Sequence, residues 1–86
     1  HDFSLVKERR YAGGKVQFHL NISEGVIADV RLFGHFLGKL DAHDLETLLK
    51  GIKYREEDVR LKLKDFPVEE YFYNITLDDI IDCLFY

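Results

Sequence analysis

The stretch KVQFHLNISEGVIADVRLFG, Lys15 to Gly34, decides the fold. Val16, Phe18, Leu20 and Ile22 alternate with Gln17, His19 and Asn21, the period of a half-buried strand over 15–23. Ser23 to Gly25 reads as a turn in which Gly25 supplies a positive φ. A second strand follows over 26–34, with Ala28, Val30 and Leu32 on one face and Ile27, Asp29, Arg31 and Phe33 on the other. Upstream, FSLVKERRY (residues 3–11) mixes aromatic and β-branched residues with a charged run that breaks the alternation, as at an edge or an exposed end. Three strands joined by two hairpins make an antiparallel meander.

Beyond Gly38 the period changes from strand to helix. Asp41 with Asp44 three residues on reads as a helix start, Leu45, Leu48 and Leu49 as its apolar stripe and Gly51 as its stop, giving three turns. Residues 55–64, REEDVRLKLK, alternate like a strand at Val59, Leu61 and Leu63. Their acids lead and their lysines trail, which suits the helix macrodipole, and helix is the preferred reading. Pro67 ends that segment or begins the next. Thr76 and Asp79 form a capping signal before Leu77, Ile80, Ile81, Leu84 and Phe85, which recur at helical spacing. The expected fold is α+β in two layers, a three-stranded antiparallel meander packed against two or three helices.

Composition narrows the function. With 86 residues the chain reads as one small domain, and such a chain buries only about 60% of the surface it exposes when unfolded. Support from a partner surface is a reasonable expectation. Apolar residues at 47% and charged residues at 33% place it among folded chains rather than disordered ones. No apolar run approaches the roughly 20 residues that cross a bilayer, and no signal peptide is recognisable, so a cytoplasmic location without a membrane partner is expected. The single cysteine, Cys83, excludes an internal disulfide and a multi-thiolate metal site. Net charge is −4, against a generic nucleic-acid binder. Yet the first 40 residues hold six Lys/Arg against four Asp/Glu, while the rest hold six against twelve. The acidic surplus belongs to the second half.

Candidate sites are few. RRYAGGK, residues 9–15, lacks the longer glycine run and helix-opening lysine of a phosphate loop, because here Lys15 opens a strand. Two readings stand: a plain hairpin turn, or a cationic turn in which Arg9, Arg10 and Lys15 surround Gly13 and Gly14 and meet a charged ligand or partner. At the strand-to-helix crossing, Gly34, His35, Phe36, Leu37 and Gly38 read either as a plug for the core or as an apolar hinge against another domain. The histidines show no ligand spacing, Ser4 and Ser23 occupy no nucleophile elbow, and the carboxylates lie at helix starts or on solvated faces. No catalytic or metal-binding residue is expected.

Several motifs in order carry a resemblance: the arginine-aromatic-x-Gly-Gly-Lys turn, the Gly-x-Phe-x-Gly crossing, LLKGIKYREEDVRLKL, and the Asn-Ile-Thr helix start in YFYNITLDDIIDCLF. Together, from about Phe3 to Phe85, they resemble the C-terminal accessory domain of bacterial lipoate–protein ligase. The resemblance implies a fold similar to that of iron–sulfur scaffold and sulfur-acceptor proteins. It also implies a fragment of a larger ligase or a separate small subunit, residues 1–86 forming one accessory domain. The implied partner is a catalytic domain in which lipoate attacks the α-phosphorus of ATP to give lipoyl-adenylate. A lipoyl acceptor domain or glycine-cleavage H protein then docks transiently and takes the lipoyl group on a lysine. ATP, Mg2+ and lipoate belong to that full enzyme, with no cofactor bound by this domain alone. The resemblance places the arginine turn at Arg9, Arg10, Gly13, Gly14 and Lys15. It places the crossing at Gly34 to Gly38, where His35 replaces the family's usual aspartate. Two other readings remain open: a sulfur-assembly scaffold, and a protein- or RNA-binding module.

Overall fold

The computed structural model describes residues 4–36 and 40–86, without the side chains of His35 and Phe36. Phe3, Leu37 and Gly38, named above, lie outside the described residues. The strands are β1 (Leu5–Tyr11), β2 (Gly14–Ser23) and β3 (Val26–Phe36), antiparallel in the order β1-β2-β3. Four helical segments follow among the described residues: α1 (His43–Leu49), α2 (Glu56–Lys62), α3 (Val68–Tyr71) and α4 (Leu77–Phe85). The two-layer α+β arrangement is as the sequence predicts, but with four helical segments rather than two or three among the described residues, because Pro67 opens the additional one-turn α3. REEDVRLKLK forms a helix, not a strand, with Glu56, Glu57 and Asp58 in the first turn and Arg60 and Lys62 in the last.

Both hairpins close in two residues. In the second, Glu24 and Gly25 take φ of 52° and 76°, the paired left-handed geometry whose twist matches that of the flanking strands. The pairing then slips. Asn21 faces Asp29 but Ile22 faces Ile27, leaving Ala28 as an extra residue on β3. This bulge corrects the expected facing of the strand start: Ile27 is buried with Val30 and Leu32, whereas Ala28 is exposed.

Residues 51–54 run beside the start of β3. Ile27 N donates to Ile52 O at 2.8 Å, Gly51 N to Ile27 O at 2.8 Å and Tyr54 N to Gly25 O at 2.8 Å. Further along the same edge, Glu46 Oε2 accepts from Leu32 N at 2.7 Å. These contacts use backbone groups that an open strand edge would offer to another chain.

The core lies between the helices and one face of the sheet. Val16, Phe18, Leu20, Val30 and Leu32 meet Leu45, Leu49, Val59, Ile80, Ile81 and Leu84, and no charged or polar residue is buried among the described residues. Helix α4 begins with a complete capping box, Thr76 Oγ1 accepting from Asp79 N at 3.2 Å and Asp79 Oδ2 accepting from Thr76 N at 3.0 Å. Helix α1 departs from expectation. It has seven residues, two turns rather than three, and its N-cap is Ala42. Asp41 instead closes a turn by accepting from His43 N at 2.9 Å, and Asp44 accepts from Tyr71 Oη at 2.8 Å. Gly51 ends α1 with φ 86°, as its placement predicts.

Candidate functional site

Strand register brings the two candidate motifs to one end of the sheet. Arg10 pairs with Lys15 and Lys15 with His35, while Tyr11 pairs with Gly14 and Gly14 with Phe36. The arginine turn and the backbone of the Gly34–Phe36 segment are therefore neighbours.

The same register separates the two arginines. Side chains of successive strand residues point to opposite faces. Arg9 pairs with Val16, a buried residue of the helix-covered face, and Arg10 pairs with Lys15 on the other face, called bare because no described helix packs on it. Tyr11, on the face of Arg9, donates its hydroxyl to Asp79 O of α4 at 2.7 Å. Burial first, then the nearby Cys83 and Asp79, push its pKa up to about 12, so the phenol remains a donor. Arg9 thus stands at the rim of the helix layer and Arg10 on the opposite side of the sheet. Both are exposed, and neither makes an ion pair with a described residue.

Lys15 is engaged within the sheet. Its Nζ lies 3.2 Å from Glu8 Oε1, which also accepts from Gln17 Nε2 at 2.8 Å. The glycines serve close approaches of the chain to itself. A Cβ on Gly13 would lie 1.6 Å from the carbonyl oxygen of Tyr73. Gly34 has φ 147°, and a Cβ there would lie 2.0 Å from the carbonyl oxygen of Lys15. The turn is thus held against the loop before α4, and the space at Gly13 is filled by this chain's own backbone.

On the bare face, Val6 pairs with His19, and the His19 ring meets Phe33 edge-on with centroids 4.8 Å apart. Val6 is 49% exposed and Phe33 48%. Arg31 pairs with His19, so it flanks this patch on one side while Arg10 stands beyond the other. Sequence reading did not single out Val6, Arg31 or Phe33. The available signal was Phe33 in the polar phase of β3.

Cys83 is 1% exposed, between the carbonyls of Lys7 and Val16, each 3.8 Å from Sγ. Burial pushes its thiol up to about 11, which keeps it protonated at neutral pH and a poor nucleophile or sulfur acceptor. No group of three or more His, Cys, Asp or Glu residues suited to a metal occurs among the described residues. Among the same residues, no helix is long and apolar enough to cross a membrane. An open depression of about 320 Å³ is lined by Lys64, Phe66, Pro67, Val68, Glu69, Glu70 and Leu77, none of them a residue of the arginine turn.

This combination defines a class: a small two-layer module whose distinctive residues sit on its surface and between its strands. The chain belongs to the family described as bacterial lipoate protein ligase C-terminus, which matches residues 1–84. It is 34% identical over 83 residues to lipoate-protein ligase LplJ of Bacillus subtilis, covering 96% of this chain and 25% of that protein. A lipoate–protein ligase of Streptococcus pyogenes is 37% identical over 79 residues, covering 92% of this chain and 23% of that protein. Among solved structures, the crystal structure of P. falciparum LipL1 in complex with lipoate shares the fold. Its TM-score is 0.70 at 23% identity, covering 95% of this chain and 23% of that one. The chain therefore spans about a quarter of the length of these relatives, and the resemblance drawn from the motifs is shown at the family level.

Proposed function

We propose that this chain is the accessory module of a lipoate–protein ligase, closing on the catalytic domain while lipoate is activated by ATP to lipoyl-adenylate. The module then moves aside for transfer of the lipoyl group to a lysine of the acceptor domain. The observation that carries this reading is the family match over residues 1–84, in a chain that spans only a quarter of ligases bearing that activity in their names. Closure keeps water from a mixed anhydride that hydrolyses readily, a general task of lids. ATP, lipoate and Mg2+ are held by the remainder of the ligase. No described cluster of this chain's side chains suits a metal.

In this reading the turn of Arg9, Arg10, Gly13, Gly14 and Lys15 lies near the domain boundary, and Gly34 to Gly38 act at the hinge or interface. Arg10 is the better candidate for reaching a phosphate or carboxylate across the cleft. Lys15 is already paired with Glu8, and Arg9 lies beside α4. Whether the module is joined to its catalytic domain or assembles with it as a subunit, a cytoplasmic ligase is the proposed setting. The likeness to iron–sulfur scaffold and sulfur-acceptor folds concerns shape only in this proposal, since the buried Cys83 is poorly suited to accept sulfur.

Lipoate-dependent ATP–pyrophosphate exchange tests the proposal, using the matching catalytic domain with this chain present and omitted. Exchange that requires the chain is the expected result. Equal exchange in both mixtures refutes a role in activation.

A further inference from the structure

Resting on that reading, we infer that the bare face of the sheet, centred on Phe33, His19 and Val6, is the surface that docks the catalytic part of the ligase. The matching surface there presents an apolar contact bordered by carboxylates.

An antiparallel sheet with one solvated face is ordinary, and isolated exposed apolar side chains need no explanation. Here Val6 and Phe33 stand on either side of His19. Val6 and His19 are direct cross-strand partners, and the His19 ring contacts Phe33, so three strands contribute to one patch. The other face is filled by helices, whereas no described helix covers this one and Val6 and Phe33 remain half-exposed on it.

Charge supplies the second argument. On this face Glu8 is neutralised by Lys15 and Asp29 by Lys50, at 3.2 Å in each case. Arg10 and Arg31 are exposed and make no ion pair with any described residue. Two arginines flanking an apolar centre are thus left on a chain whose net charge is −4. A carboxylate-bordered partner satisfies both the patch and these cations, and arginine is a favoured residue for such interface pairs. The family match supplies the partner's source, because three quarters of each relative lies outside the region this chain matches.

The test places a cysteine at Phe33 or, as reference, at Leu61, in the full ligase or its complex. Leu61 is 73% exposed on α2, in the helix layer. Buried Cys83 gives little background reaction. Alkylation at each position is followed by mass spectrometry with lipoate and a non-hydrolysable ATP analogue present. Phe33→Cys should react at least about tenfold more slowly than Leu61→Cys, as a mostly closed population requires. That margin far exceeds their difference in exposure. Val6→Cys repeats the test from β1 and should be protected likewise.

Equal reactivity at positions 33 and 61 overturns the inference. If exchange still requires the chain, the accessory role stands and only the face is wrong. Exchange independent of the chain removes the role itself. Protection that appears only when the acceptor domain is added overturns the inference in favour of that domain. Protection that follows concentration-dependent self-association overturns it in favour of a second copy.

Discussion

The two faces of the sheet are cut from the same alternating strands yet do different work. Inward, Val16, Phe18, Leu20, Val30 and Leu32 are buried against helices. Outward, charged and polar residues surround half-exposed Val6 and Phe33. Stability is concentrated on the first face, and recognition, as inferred here, on the second. Arg9 and Arg10 show how sharply the division runs, since one step along β1 moves a guanidinium from the rim of the helix layer to the open face.

Substitutions should break the two faces in different ways. Phe18→Ala empties a fully buried site and should cost about 3–5 kcal/mol, read as a lower denaturation midpoint at unchanged slope. A loss below about 1 kcal/mol would mean that the inner face is not where stability resides. Gly13→Ala should cost about 3 kcal/mol, near the upper end for overpacking, because the added methyl meets the Tyr73 backbone rather than a movable side chain. Unchanged stability in that variant would show that the turn is not held against the loop before α4.

The outer face should respond oppositely. Phe33→Asp loses an edge-on ring contact and should lower stability by only about 1 kcal/mol or less. A cooperative transition near the parent midpoint is expected, and gross unfolding would move Phe33 into the stability account.

The smallest effect concerns pH and an exposed pair. His43 Nδ1 lies 2.7 Å from Glu46 Oε2, and that hydrogen bond raises the His43 pKa. A folded-state value above the unfolded one, about 6.5, makes the contribution fully present below the unfolded value. It is lost as pH rises through the raised folded value. Denaturation midpoints across this window should therefore decline slightly with pH in the parent and less in His43→Gln. Identical profiles would remove the pair from the account.

Much of the fold was legible because it is local. Alternation over β2, the Thr76–Asp79 capping box and the Gly51 stop need only neighbouring residues. The bulge at Ala28 was missed because strict alternation carries no mark for an extra residue, and it reversed the facing of Ile27. Asp41 and Asp44 have capping chemistry, but Tyr71 supplies a partner for Asp44 that no local pattern reveals. The candidate turn was legible as a composition and not as an arrangement. Gly13 meets a backbone 60 positions away, and Lys15 is spoken for by Glu8 across the hairpin. The opposite facing of Arg9 and Arg10 follows from strand period alone once RRY is accepted as strand, but the charged run obscured it.

Lipoate-dependent ATP–pyrophosphate exchange by the ligase carrying Phe33→Asp, beside one carrying Leu61→Asp, tests the division between the faces most directly. The account predicts a loss of about tenfold or more for Phe33→Asp, with the domain still folded, and parent-like exchange for Leu61→Asp. Parent-like exchange in both would contradict it.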